Sequence, residues 1–177
     1  MLDKEKIKEA EKNVRKYTED NLLFRYKEFG SEILDTYKRN YKESIDLADT
    51  IFKEGLSNLW VIVISYYSMF YIANAVLYKI GYKVGSKVSH KVTSDALIVF
   101  VREKLKKSLL KDYEDAKEEA LDLIGRKTDE ILSSFDQELE KRSVFQYEST
   151  EAIKRSKAET SLTRAKRFIF EMVKLLE

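Results

Sequence analysis

The sequence predicts an all-α protein, an antiparallel bundle of five to six helices around a fully buried central helix. Proline is absent and glycine occurs only five times in 177 residues, which favours long, unbroken helices. Apolar residues recur at steps of three and four along most of the chain, as they do on one face of a helix. One stretch, residues 59–78 (LWVIVISYYSMFYIANAVLY), carries no charge, although 36% of all residues are charged.

This uncharged stretch has apolar side chains on every face, so the helix it forms must be surrounded. A lipid bilayer or a ring of helices from the same chain could surround it, since its length reaches the roughly 30 Å of a bilayer core. Ser65, Ser68 and Asn74 interrupt the stretch, tyrosines run through its middle, and the chain has no second apolar run. We therefore expect a buried central helix and no membrane span.

Glycines that end helices and small polar residues that begin them predict the first half of the chain. A first helix is expected over residues 3–29 and a second over residues 32–53, with the break at Gly30. Ser57 is expected to cap the central helix, which should end at Gly81.

After the central helix, residues 82–92 are predicted to form a loop. A fourth helix should follow, capped by one of three adjacent polar residues, Thr93, Ser94 or Asp95.

A fifth helical region is predicted over residues 113–146, with a break at Gly125, and a last helix should begin at Ser149 or Thr150. We find no useful strand-like alternation, no repeat and no linker. The chain is therefore expected to form a single domain, residues 1–177.

Composition excludes several kinds of site. The chain has no cysteine and one histidine, so we expect no disulfide, no metal site and no cofactor. The charged N-terminus lacks the apolar core of a signal peptide, and we expect a cytoplasmic protein. With 33 basic and 31 acidic side chains, net charge does not select a partner, so the local distribution of charge matters more.

Two segments stand out as candidate sites. No acid occurs between Glu54 and Asp95, and the predicted loop there has His90 and four basic residues within it or at its border, Lys79, Lys83, Lys87 and Lys91. This predicts a phosphate-binding rim, with an ordinary solvated loop as the alternative. The second segment contains Arg142 and Tyr147, and its alternative is a guanidinium that caps a helix end or lies on a tyrosine ring.

The sequence SYYSMFYIANAVLYKIGYKVGSKVSHK, residues 65–91, resembles the signature of HEPN domains, in particular a small stand-alone group. That group has a Ser-Tyr-Tyr-x-Met-Phe helix, a glycine after it and a loop similar to Ser-x-x-His-Lys. The later segment RSVFQY, residues 142–147, is similar to the group's Arg-x-x-Ala-Asp-Tyr. The resemblance covers residues 40–177, so residues 1–39 are expected to be an N-terminal helical extension.

The resemblance implies a helical bundle that forms a homodimer with a cleft at the dimer interface. Many HEPN domains are metal-independent ribonucleases, with an arginine and, a few residues later, a histidine facing that cleft. They often act in toxin–antitoxin or other defence systems, many beside a small nucleotidyltransferase partner. In this chain Arg142 matches the arginine, whereas Tyr147 stands in place of the histidine.

This replacement bears on catalysis, because cleavage of RNA through its 2′-hydroxyl needs a group that accepts a proton. Histidine does so near neutral pH, whereas tyrosine, with a pKa of about 10, is a poor base there. Arg142 could still stabilise the developing negative charge. His90 would have to supply the missing base, and only if its loop reached the cleft.

The sequence thus leaves three functions open. The first is a HEPN-like dimer that binds RNA or nucleotide phosphate through Arg142, Tyr147 and His90, with Lys83, Lys87 and Lys91 as the phosphate-binding rim, and that is a candidate endoribonuclease. The second is a non-catalytic interaction module that partners a nucleotidyltransferase. The third is a membrane-attached protein that uses residues 59–78.

Overall fold

The fold is known from a computed structural model, which describes the backbone of residues 4–26, 30–139 and 153–177 and their side chains except those of residues 126–139. The described residues form six α-helices and two short strands, which confirms the predicted all-α bundle. In chain order the elements are α1 Lys4–Glu19, β1 Leu23–Arg25, α2 Ser31–Glu54, α3 Asn58–Lys79, β2 Tyr82–Val84, α4 Ser89–Phe100, α5 Lys107–Leu139 and α6 Arg155–Val173.

Helix α3 is the central element, as predicted, and it packs against α2, α4, α5 and α6. Most of its side chains are buried, including the polar Ser65, Ser68 and Asn74. It is the one described helix long and apolar enough to cross a membrane, and 67% of its most apolar window is buried inside the protein. Its burial is consistent with the core helix of a soluble protein. Trp60, in the first turn, remains 54% exposed.

The turn between α2 and α3 forms as its glycine and serine predict. Gly55 ends α2 with a φ of 68°, a left-handed conformation that glycine adopts without strain. The Ser57 side chain then accepts a hydrogen bond of 3.3 Å from the backbone nitrogen of Trp60. This bond satisfies one of the free N–H groups at the start of α3.

The first helix is shorter than predicted, and it is followed by a short strand in which the sequence shows no readable alternation. Helix α1 ends at Glu19, and the chain turns through Asn21 in a left-handed conformation, with a φ of 55°. Strand β1 then pairs antiparallel with β2, so that Phe24 lies opposite Lys83 and Arg25 opposite Tyr82. A three-residue strand gives no readable alternation, and its partner lies almost sixty residues away, so local pattern could not predict this β1–β2 ribbon.

The predicted loop over residues 82–92 is also corrected. Its first part is β2, and α4 already begins at Ser89, with Val88 in the capping position and no side chain capping the helix. Thr93 and Ser94, expected as caps, lie inside α4 and are buried. Helix α4 ends at Phe100, before a short 3₁₀ turn, Arg102–Lys104.

The last two helices differ from prediction mainly in their bounds. Helix α5 begins at Lys107, six residues before the predicted start, and continues through Gly125 without a break. A Cβ atom added at Gly125 would have no neighbour within 4 Å. The glycine is therefore not required for close packing against another element. Helix α6 begins at Arg155, and the predicted caps Ser149 and Thr150 lie outside the described residues.

Helix α1 contributes to the main core. Val14 and Tyr17 belong to the same cluster of buried residues as side chains of α3, α4, α5 and α6. The Tyr17 hydroxyl donates a 2.8 Å hydrogen bond to Asp95 on α4, and Asn13 donates another of 3.1 Å. The boundary after residue 39 falls inside α2, and the division into an N-terminal extension and a HEPN-like core stays a prediction.

Candidate functional site around His90

The only histidine of the chain lies in the first turn of α4, against the middle of α3. Its Nδ1 is 2.7 Å from the hydroxyl oxygen of Tyr66. The rings of Tyr66, Tyr67 and Phe70 surround it, with centroids 5.5, 5.6 and 4.7 Å from that of the imidazole. These contacts hold His90 in one orientation. Since a tyrosine hydroxyl can donate or accept, the imidazole tautomer decides which group donates.

His90 opens on a cavity of about 470 Å³ between α1, α4 and α5, which we call the His90 pocket. It is lined by basic, acidic and apolar side chains: Lys6, Glu9, Val88, His90, Lys91, Ser94, Asp95, Glu114, Lys117 and Leu121. A volume of this size is within the usual range of small-ligand sites.

Most of the acidic groups of the pocket are already engaged. Lys117 donates hydrogen bonds of 3.0 Å to Glu114 and 3.1 Å to Ser94. Lys6 lies 3.5 Å from the same Glu114 carboxylate. Asp95 accepts from Asn13 and Tyr17, as described above. Lys91 is exposed and forms no ion pair with another described residue, so its charge is available to an anion.

The surroundings keep the imidazole neutral. Burial lowers the pKa of His90 below 6.5, and the positive charge of Lys117 lowers it further. Burial raises the pKa of Tyr66, so its hydroxyl keeps its proton at neutral pH. When Nδ1 carries the imidazole proton, Nε2 has a free lone pair and can act as a base. In the other tautomer, Nε2–H can donate a hydrogen bond to a phosphate oxygen.

The predicted site residues are only partly brought together. His90 and Lys91 share the pocket, whereas Lys87 is exposed in the segment before α4 and does not line it. Lys83 is on β2, with its Nζ 5.8 Å from the centre of the Tyr26 ring. Arg142 and Tyr147 lie outside the described residues, so their place relative to His90 stays a prediction.

Sequence reasoning missed two side chains of this site. Tyr66 belongs to the Ser-Tyr-Tyr motif and could have been suspected from it. Lys117 is one of four lysines on α5, and no pattern distinguishes it. No group of three or more His, Asp or Glu side chains that could hold a metal occurs in the part of the chain that the structure describes.

We compared the chain with protein-family models, with curated proteins and with solved structures. None of the three comparisons gave a match.

Proposed function

We propose that this chain is a HEPN-like, cytoplasmic protein that binds RNA or nucleotide phosphate, with His90 as the proton-transferring group of an endoribonuclease. One observation carries the proposal. A half-buried imidazole is fixed 2.7 Å from Tyr66 and opens on a cavity that also contains Lys91 and Lys117. Such a group, positioned by a hydrogen bond and beside cations, is what phosphodiester cleavage without a metal requires.

The step that this arrangement supports is an internal transfer within RNA. Nε2 of His90 accepts the proton of a ribose 2′-hydroxyl, and the 2′-oxygen attacks the adjacent phosphorus. The bond from phosphorus to the 5′-oxygen breaks, that oxygen takes a proton from water, and the hydroxide formed takes back the proton that His90 accepted. The products are a 2′,3′-cyclic phosphate and a 5′-hydroxyl, and the lysines stabilise the additional negative charge on the phosphate.

Arg142 and Tyr147 remain part of the proposal, as the phosphate-binding pair of a cleft between two copies of the chain. In this arrangement Arg142 stabilises the phosphate. His90 takes the role of the motif histidine, whose place in the sequence is occupied by Tyr147. Lys87 and Lys91 are exposed, and they form the rim that attracts the RNA backbone. Lys83 contributes from the neighbouring ribbon.

Binding can be tested by fluorescence anisotropy with a labelled single-stranded RNA. We expect Lys87→Gln with Lys91→Gln to weaken binding and to make its dependence on salt less steep, by about 0.7 in the log–log slope for each phosphate that is no longer neutralised. The matched control is Lys104→Gln with Lys106→Gln, two lysines exposed outside the pocket. If both double variants weaken binding equally, Lys87 and Lys91 do not form a specific RNA-binding rim.

Cleavage can be tested on the same RNA in the presence of a chelator. His90→Gln should reduce cleavage by at least about a hundredfold, the usual range for a general base, and Arg142→Ala by a similar factor, the usual range for a group that stabilises developing charge. Thermal stability should change little in Arg142→Ala. Full cleavage by His90→Gln would remove this residue from the proposal. Absence of both RNA binding and cleavage in the unmodified protein would overturn the proposed function.

A second candidate function is the interaction module that partners a nucleotidyltransferase. It is favoured by large apolar side chains that stay exposed at the α2–α3 turn and the start of α3, Leu56 by 67% and Trp60 by 54%, and by Leu47 on α2, exposed by 51%. Exposed large apolar side chains, tryptophan above all, are typical of protein-binding surfaces. The test is association with a purified small nucleotidyltransferase. We expect Leu56→Ser with Trp60→Ser to abolish association, whereas His90→Gln should leave it unchanged.

A further inference from the structure

A second cavity, of about 580 Å³, lies on the other side of α1 and shares no residue with the His90 pocket. It is open to solvent and is bordered by the second half of α1, the β1–β2 ribbon and the end of α4. We call it the ribbon cavity. Two segments far apart in sequence, residues 11–25 and 82–100, converge there, and nothing in the proposed function uses it.

One wall of the ribbon cavity is aromatic and flat. The rings of Tyr82 on β2 and Phe100 on α4 have centroids 3.9 Å apart and planes 15° apart. Both rings are only partly buried, so the stack is not sealed within the core. A third planar ring can extend such a stack, and aromatic stacking with a nucleobase does not depend on which base it is.

Two guanidinium groups line the same cavity. Arg15 on α1 and Arg25 on β1 are both exposed, and neither forms an ion pair with another described residue. A guanidinium offers a planar set of donors that matches two oxygens of a phosphate. The two guanidinium groups can bind the anionic part of a ligand, and the aromatic wall can bind a ring of the same ligand.

The cavity also contains two acidic residues, one of which is paired with an arginine that does not line it. Glu11 lies 3.5 Å from Arg102 and is therefore partly neutralised from outside the cavity wall. Glu19 is exposed at the end of α1. Its carboxylate can accept hydrogen bonds from sugar hydroxyls or from an exocyclic amine of a base. The lining thus offers a surface for a base, an acceptor for a sugar and donors for a phosphate.

We propose that the ribbon cavity binds a nucleobase that carries a phosphate, stacked on Tyr82 and Phe100 and held by Arg15 and Arg25. The ligand is either a free mononucleotide or one nucleotide of an RNA chain. This site is independent of the His90 pocket. It would give a binding role to α1 and β1, which belong to the segment that the sequence predicts to be an extension.

The test is calorimetric titration of the full chain with adenosine monophosphate, adenosine and inorganic phosphate. We expect the mononucleotide to bind more tightly than either of its parts. Phe100→Leu should weaken binding of both the mononucleotide and adenosine by about tenfold, because it removes the stacking surface. Arg25→Gln should weaken the mononucleotide by a similar factor and leave adenosine unchanged.

The matched control is Arg39→Gln, an exposed arginine on α2 that does not line the cavity. Arg15 and Arg25 are exposed, so their variants should fold even where Phe100→Leu does not. Arg25→Gln should weaken mononucleotide binding by the same factor in a His90→Gln background, which separates this site from the proposed ribonuclease site. A short oligoadenylate titrated into Arg25→Gln then distinguishes the two sources of ligand, since only an RNA-binding site loses affinity for it.

Two results would overturn the proposal. One is the absence of mononucleotide binding up to about 1 mM, together with oligoadenylate binding that Arg25→Gln does not change. The other is mononucleotide binding that Arg15→Gln, Arg25→Gln and Arg39→Gln all weaken equally, which indicates general attraction to positive charge.

Discussion

Tyr66 on α3 and His90 on α4 are joined by a short contact, 2.7 Å from the tyrosine oxygen to Nδ1, where the two helices pack against each other. The ring of Tyr66 in turn packs against the ring of Tyr113 on α5, with centroids 5.9 Å apart. The orientation of the imidazole therefore depends on the packing of three helices.

The titration of His90 provides the first prediction. Its pKa lies below 6.5 because of burial and, to a smaller extent, because of the charge on Lys117. Lys117→Gln removes that charge, so the pKa should rise toward 6.5 without reaching it, since the burial remains. Solution NMR can follow this directly, because the chain has one histidine. Lys87→Gln, which changes a lysine outside the pocket, should have no effect. An unchanged pKa in Lys117→Gln would contradict the proposed electrostatics.

The same group makes stability depend on pH. Because the pKa of His90 is lower in the folded state, the unfolded state binds the proton first as the pH falls. The free energy of unfolding should therefore be highest above pH 6.5. It should decrease as the pH falls below 6.5 and level off below the lowered native pKa of His90. The measurement is the difference in denaturant unfolding between the unmodified protein and His90→Gln. The stability of the unmodified protein relative to His90→Gln should decrease as the pH falls. An increase would contradict the lowered pKa of His90.

Some elements of the fold could be predicted from the sequence because their causes are local. The central helix follows from a long uncharged stretch, and the α2–α3 turn follows from Gly55 and Ser57. The β1–β2 ribbon could not be predicted, since Phe24 and Lys83 are paired by the folding of the whole chain. The start of α4 was placed too late because no side chain caps it.

The candidate site shows the same limit. His90 and Lys91 were identified from charge and composition, which are local properties of the sequence. Their partners Tyr66 and Lys117 come from α3 and α5 and meet them only through helix packing. Residue type and spacing can thus indicate which groups are chemically useful. They cannot indicate which neighbour fixes the orientation of an imidazole or lowers its pKa.

A buried polar pair provides a prediction about stability. Asn74 on α3 and Thr93 on α4 are joined by a 3.2 Å hydrogen bond from Nδ2 to Oγ1, and both are buried. Thr93→Val should cost about 1–3 kcal/mol, since it leaves Asn74 without this partner. Asn74→Leu with Thr93→Val should cost less than the sum of the single changes.

Thr36→Val is the control for this pair, because Thr36 is exposed and bonds only the carbonyl of Glu32 in its own helix. It should change the free energy of unfolding by no more than about 0.5 kcal/mol. The measurement is urea unfolding of all four variants. Additive costs for the two buried changes would show that the hydrogen bond contributes little.

The last prediction concerns Val88, which precedes α4 and lines the His90 pocket. Its φ of 45° is in the left-handed region, where a β-branched side chain is strained. Val88 is 60% exposed, so a substitution sacrifices little packing. Val88→Asn should raise the free energy of unfolding by about 0.5–1 kcal/mol, because asparagine tolerates this conformation. Val88→Gly should raise it less, since glycine has more conformational freedom in the unfolded chain.

Ser86→Gly is the matched control, because Ser86 lies in the same segment and has no positive φ. It should destabilise the protein slightly through the same effect on the unfolded chain. Thermal unfolding of the three variants distinguishes the cases. If Val88→Asn and Val88→Gly both destabilise the protein as Ser86→Gly does, the left-handed valine is not strained. If both stabilise it and change RNA cleavage, the strain at the edge of the pocket is linked to function.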